Sequence, residues 1–302
     1  MLEERTDSLK SFARKWIELW ALIALKPYTY AEYEGITRVH LVPALGHHRL
    51  AELTPEVIQR YVADKVAEGL APATVRNHVI VLKQILDTAC DWAVIEENPA
   101  RVVTPPRLER SEMRFLTPEQ LRLLIASTPP WYRLLLSLPA FCGLRKGEVL
   151  ALEWSDICLD SMTVSVTKTM RDGVVTTPKT KASIGRVPMP ESIRQHVAER
   201  QPLERGNKLV FSNADGSPMW KSAPNGILAR VLDVAGLPPC RYHDLRHSWA
   251  VAHLKAGTDI KTLAALGRWS SPTTLLETYA HVLDPMGGEA VRNLDRLLNE
   301  ED

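Results

Sequence analysis

Apolar residues recur at helical intervals through the first hundred positions of this chain, so the runs 8–25, 29–42, 54–69 and 73–94 each read as an amphipathic helix. The start signals agree with the period. Thr54-Pro55-Glu56 and Pro72-Ala73-Thr74 put a proline where a first helical turn tolerates a missing N–H. From Asn98-Pro99 to Pro105-Pro106-Arg107 the prolines break helix, and the chain reads as an extended, basic linker. Thr117-Pro118-Glu119 opens a new helix, an apolar stretch over 131–141 runs into Gly143, and another periodic segment begins just past Arg145. The period then changes. The segments 162–166 and 184–188 alternate, as half-buried strands do. Helical spacing returns over 243–255, where Leu245, Trp249, Ala252 and Leu254 are apolar and Gly257 supplies the stop. A last helical pattern, 289–299, places Val291, Leu294, Leu297 and Leu298 on one stripe behind the joint Gly287-Gly288. The predicted organisation is an all-α domain over 1–104, a linker over 105–113 and a second domain over 114–302. The fold class is mainly α with a small antiparallel β-sheet, in two lobes, with no internal repeat or low-complexity tract.

Composition changes that picture little. With 302 residues, 45% of them hydrophobic, the chain can bury a sizeable core and is expected to form two domains. The apolar stretch 20–25 lies between Lys15 and Lys26 and is too short to span a bilayer, so no membrane partner is expected. The opening Met1-Leu2-Glu3-Glu4-Arg5 does not read as a secretory signal. Cys90, Cys142, Cys158 and Cys240 are scattered without a Cys-x-x-Cys pair, which fits a reducing cytosol and a cytoplasmic protein.

Candidate chemistry gathers in the last two thirds. On a helix over 243–255, His243 and Arg246 stand three apart and project from one face, where a guanidinium can fork onto phosphate oxygens and stay charged. Arg145 sits at a helix junction that can offer both a guanidinium and backbone N–H groups to an anion, with Glu148 three residues on to orient it. Each residue taken singly also has an ordinary reading: a surface Arg–Glu pair, a half-buried helix tyrosine at Tyr279, an exposed His281, a solvated lysine at Lys179. His243 and His247 have zinc-ligand spacing, but Asp-Leu-Arg stands between them and a guanidinium beside the pair would repel a metal. No metal is expected there.

The boxes Gly143-Leu144-Arg145-Lys146-Gly147-Glu148, His243-Asp244-Leu245-Arg246-His247, Leu266-Gly267-Arg268-Trp269 and Thr278-Tyr279-Ala280-His281 resemble, in order and approximate separation, those of the tyrosine recombinases, or phage-integrase family. Upstream, Val42-Pro43-Ala44-Leu45-Gly46, the run from Gly69 to Arg76 and Glu97-Asn98-Pro99-Ala100 resemble that family's helical, SAM-like core-binding domain. The resemblance covers nearly the whole chain. It implies a two-lobed DNA clamp in which Arg145 and Arg246 bind the phosphate, His243 is the first histidine and Tyr279 is the nucleophile. Lys179, in Thr177-Pro178-Lys179-Thr180-Lys181, resembles the family lysine carried on a β-hairpin, with Lys181 a near competitor. For the third clamp position, counting back from Tyr279 selects Trp269, whose indole N–H can donate to a phosphate oxygen, and counting forward from Leu266-Gly267 selects Arg268.

The implied reaction is attack by Tyr279 on a DNA phosphodiester, leaving a 3′-phosphotyrosyl link and a free 5′-hydroxyl. The covalent link stores the bond energy, so no cofactor is called for. His243 would help remove the phenol proton, Lys179 would protonate the leaving oxygen, and Arg145, Arg246 and Trp269 would stabilise developing charge. Implied partners are double-stranded DNA sites, a homotetramer on paired sites and an accessory DNA-bending or directionality factor, in the cytoplasm at a prokaryotic nucleoid. The absence of an extra small domain before Ser8 points to a recombinase without a separate arm-site binder. A monomeric topoisomerase of type-IB-like chemistry and a catalytically idle DNA-binding relative are the alternatives. The net charge of +1, from 37 basic and 36 acidic residues, argues against a generally basic DNA binder. Distribution answers part of that: Lys168, Arg171, Lys179, Lys181 and Arg186 face Asp172 alone, and affinity depends on local phosphate contacts. Within the first domain Arg76, Asn77, His78 and Lys83 are the candidate DNA contacts, and a solvated helix face would explain them too.

Overall fold

The computed structural model describes residues 7–108, 115–178, 181–201, 206–213, 215–283 and 287–299. The chain forms two compact units, Met1–Ser111 and Glu112–Asp302.

The first unit is all helical among its described residues. Ser8 caps the helix Leu9–Trp16 by accepting from the Ser11 N–H, and helical structure continues through a π turn, Ile17–Ala21, to Ala24. A second run goes from Pro27 to Leu45 through another π turn, Thr37–Leu41. Pro43 has no N–H to give the carbonyl four residues back, which accounts for a slipped ladder just before it. Thr54 caps Pro55–Ala67, and Pro72 opens the long helix Pro72–Asp91. Leu9, Phe12, Trp16, Leu41, Ile58, Leu82 and Ile85 are buried together, and Trp16 donates its indole N–H to Thr88 Oγ1 at 3.0 Å. His78 belongs to this interior. Its Nδ1 meets the Tyr61 hydroxyl at 2.9 Å and its ring stacks on His40, so it is not a groove contact. Burial, then His40 and Lys65, push its imidazole down to about 4.

In the second unit, Thr117 and Gln120 form a reciprocal capping box for Pro118–Ala126. The helix Pro130–Cys142 follows, with Pro139 inside it. That proline leaves the Leu135 carbonyl without its usual i+4 donor, and the buried Tyr242 hydroxyl takes the place, bonding it at 2.5 Å. The bond pins the start of Tyr242–Lys255 onto the earlier helix. Thr163–Val166 is the central strand of a three-stranded antiparallel sheet, flanked by Ile157–Cys158 and Gly185–Pro188, with Val164 opposite Val187. The two strands expected to flank one hairpin are thus paired, but a separate ribbon lies between them. Thr169–Arg171 and Val174–Thr176 pair around Asp172-Gly173, both at positive φ, as a two-residue hairpin turn requires. The main core includes Leu134, Leu138, Val149, Val164, Val187, Ile193, Leu228 and Leu245. The later helices Ile260–Gly267 and Pro272–Leu283 pack in a smaller cluster with Trp249, Leu254, Leu263, Leu275 and Tyr279. The last helix is Gly287–Asn299. No helix among the described residues is long and apolar enough to cross a membrane.

Candidate active site

Three segments meet around one carboxylate. Arg145 precedes the short helix Lys146–Leu150, and Glu148 in its first turn accepts from the Arg145 N–H and from its guanidinium, both at 2.8 Å. Arg268 reaches the same carboxylate at 2.5 Å, and its backbone carbonyl accepts from Arg145 at 3.0 Å. Burial pushes the Glu148 carboxyl up, but Arg268 and then Arg145 outweigh it and hold the group below its ordinary value.

Arg246, only 2% exposed, enters from Tyr242–Lys255. It donates to the carbonyls of Gly143 and Gly267, and its guanidinium lies 4.1 Å from the centroid of the Trp269 ring. Both glycines are required by this approach. Gly143 has φ +64° and a Cβ there would meet Trp249, while a Cβ on Gly267 would strike Trp269. Burial, then Arg145, lower the Arg246 guanidinium to about 9.

The two candidates for the third clamp position part at a left-handed residue. Arg268 has φ 57°, so neighbouring side chains diverge. Arg268 turns to Glu148 and is 4% exposed, with its Nε finding no acceptor among the described residues. Trp269 stacks on Trp249 with 6.1 Å between centroids and covers the Arg246 guanidinium. Two guanidiniums, those of Arg145 and Arg268, therefore share one carboxylate, and Arg246, bonded to two backbone carbonyls, adds a third, leaving an excess of positive charge in the site.

Tyr279 closes this arrangement from Pro272–Leu283 and is 1% exposed. Its hydroxyl meets His247 Nδ1 at 2.5 Å, and its ring stands edge-on to Trp269. Burial raises its phenol well above the ordinary value, against the pull of Arg246. His243 keeps an exposed edge at the rim, perpendicular to His247 at 4.8 Å. Partial desolvation, then His247, Arg246 and Arg145, push it down to about 4. The histidine on the tyrosine is thus His247, which the sequence presented only as half of a zinc-like pair. Its proximity to a residue 32 positions away left no local signal. Among the described residues no group of three His, Cys, Asp or Glu side chains is placed to hold a metal.

Lys179 lies outside the described residues, as do the side chains of Lys181 and His281. Lys168, counted in the basic stretch, is paired with Glu153 at 2.7 Å and faces Asp156, which removes it from a free cationic surface. In the first unit Arg76 donates to the Pro106 carbonyl, Asn77 is exposed and Lys83 is half-buried.

The profile of the phage integrase family matches residues 114–285, and that of the phage integrase N-terminal SAM-like domain matches residues 8–66. The integrase of Mycobacterium phage L5 is 30% identical over 272 residues, covering 85% of this chain and 71% of that protein. The ICEBs1 integrase of Bacillus subtilis is 29% identical, covering 90% and 79%. Among solved structures, the Tn1549 transposon integrase in complex with transposon right end DNA superposes with TM-score 0.80 at 19% identity, over 94% of this chain and 98% of that one. A lambda integrase tetramer bound to a Holliday junction superposes with TM-score 0.71 at 18% identity, over 90% and 80%.

Proposed function

The chain belongs to the phage integrase family, and on that premise we propose that it is a site-specific DNA recombinase that cuts and rejoins strands through a covalent link to Tyr279. The observation that carries the assignment is a buried tyrosine hydroxyl within the field of a fully buried arginine, beside two more arginines held by one carboxylate. Arg145 and Arg246 stabilise the charge that builds on the nonbridging oxygens, a preorganised electrostatic contribution. Glu148 orients Arg145. Trp269 covers Arg246, and Lys179 supplies the proton to the departing 5′ oxygen. His243 stands at the rim, where the phosphate arrives. The phosphate reaches Tyr279 once the phenol is exposed, because Tyr279 is buried in this state.

The substrate is double-stranded DNA carrying paired recombination sites of a phage or other mobile element, and the acting form is a homotetramer with an accessory DNA-bending or directionality factor. Support for the assembly comes from the lambda integrase tetramer on a Holliday junction. Relatives named as integrases do not favour the topoisomerase reading. In the first unit, Arg76, Asn77 and Lys83 are the proposed DNA contacts, joined by Lys181 in the second.

The test is a nicked suicide substrate incubated with the protein in excess chelator. A denaturation-resistant adduct is expected to form, and Tyr279→Phe is expected to bind the site without forming one. An adduct that persists in the variant, or one that needs a divalent ion, would sink the assignment.

A further inference from the structure

When Tyr279 attacks, its phenol proton needs an acceptor within hydrogen-bond reach. The geometry points to His247, and we infer that its Nδ1 takes that proton, leaving His243 to meet the phosphate; the inference rests on the recombinase reading above. Tyr279 Oη is 2.5 Å from His247 Nδ1, with the rings 5.7 Å apart at 61°. His243 lies beyond His247, with its ring perpendicular to that of His247 and its outer edge exposed. Among the described residues no hydrogen bond joins it to Tyr279.

The surroundings suit an acceptor. The charged and titratable groups facing His247 are His243, Asp244, Arg246 and Arg241 from its own helix and cap, and Tyr279 from Pro272–Leu283. Burial lowers the imidazole against Asp244, and Arg246 and Arg241 add to the lowering, so near pH 7 the ring is neutral with a lone pair to offer. Arg246 also acts on the phenol, favouring the phenolate as the proton leaves. In the step, Tyr279 Oη bonds to phosphorus and the bond from phosphorus to the 5′ oxygen breaks. The phenol proton passes to Nδ1, giving an imidazolium, and the departing oxygen takes a separate proton from Lys179. Rejoining reverses each transfer.

The experiment measures adduct formation by the full chain on the suicide substrate across a pH series. His247→Phe keeps a ring against His243 and Tyr279 but removes the acceptor, and is expected to slow the adduct about 100-fold or more with site binding retained. His247→Asn, a smaller change that carries the test if the Phe variant does not fold, keeps an acceptor near the Nδ1 position. It is expected to lose the acid limb of the rate profile. Placing 3,5-difluorotyrosine at position 279, whose phenol ionises more readily, is expected to rescue His247→Phe more than it speeds the wild type. Wild-type rate and pH profile in both variants would overturn the inference, and so would a faster rate, which would make the contact a resting latch. If the wild type forms no adduct at all, the recombinase reading itself fails.

Discussion

The arginine side and the tyrosine side of the site are built to different standards of rigidity. On the arginine side, Glu148 accepts from Arg145 and Arg268, Arg145 bonds the Arg268 carbonyl, and Arg246 bonds two glycine carbonyls. These groups stand beside Cys142, Val149, Leu150 and Leu245 of the main core. On the tyrosine side, Pro272–Leu283 contributes Leu275 and Tyr279 to the smaller cluster, and among the described residues the Tyr279 hydroxyl bonds His247 alone. The charges proposed to bind the phosphate are therefore set in advance, while the proposed nucleophile is held by interactions that can be given up. A low-stability element carrying a nucleophile can move without disturbing the charges it must meet.

The largest effect should follow from attacking the rigid side. Glu148→Ala strands two guanidiniums, one of them on Arg268 with a buried Nε that already lacks an acceptor. Removing one partner of a buried ionic group costs about 3–5 kcal/mol, because the other charge is left uncompensated. Urea unfolding should show a loss of that order, with cleavage falling below detection. A loss under about 1 kcal/mol would mean that the carboxylate does not hold the cage together.

Acid should separate the two sides. His247, bonded to Tyr279, is lowered from an ordinary 6.5, chiefly by burial, so an opened form binds protons that the closed form refuses. Closure of the tyrosine side therefore weakens as the pH falls below 6.5. Glu148 is shifted the same way from an ordinary 4.5, so its contribution is intact above 4.5 and lost only below that. Between pH 6.5 and about 4.5, amide exchange should quicken in Pro272–Leu283 while Pro130–Cys142 stays protected. Equal loss of protection in both helices would erase the distinction.

What the sequence showed of these two sides follows from the range of the interactions. Helix starts at Thr54-Pro55 and Thr117-Pro118 were legible because a cap and a proline act within four residues. Arg145 and Glu148 were legible for the same reason, since their bond spans a single turn. The ribbon around Asp172-Gly173 carried a local signal, a two-residue Asp-Gly turn followed by the β-branched run Val174-Val175-Thr176, that the longer expected hairpin obscured. His78 was misplaced because a polar residue on a helix gives no sign of the partner that buries it, here Tyr61. The choice between Arg268 and Trp269 turns on one left-handed φ, which counting along the chain cannot supply. His247 depends on a helix that returns after a long excursion, so only the assembled fold brings it to Tyr279.

The smallest effect on folding is expected at the far end of the tyrosine side. Helix Gly287–Asn299 exposes Val291, Leu294 and Leu298 at 67%, 56% and 73%, while the side chain of Leu297 lies outside the described residues. An apolar stripe left in water contributes little to the stability of its own unit, yet burying each such side chain against a partner is worth about 1.5–3 kcal/mol. The partner we propose is a neighbouring protomer on DNA, although Gly287 and Gly288, expected from the sequence as a joint, are the first two residues of the helix itself. Deleting residues from Glu289 onward should shift unfolding of the isolated protein by less than about 0.5 kcal/mol, the range of surface changes. Single-site binding should survive, and cooperative binding to paired sites and strand exchange should weaken. A truncated protein that melts earlier but still binds paired sites cooperatively would place the helix on its own unit. The tyrosine would then be steadied from within each protomer, without help from its neighbour.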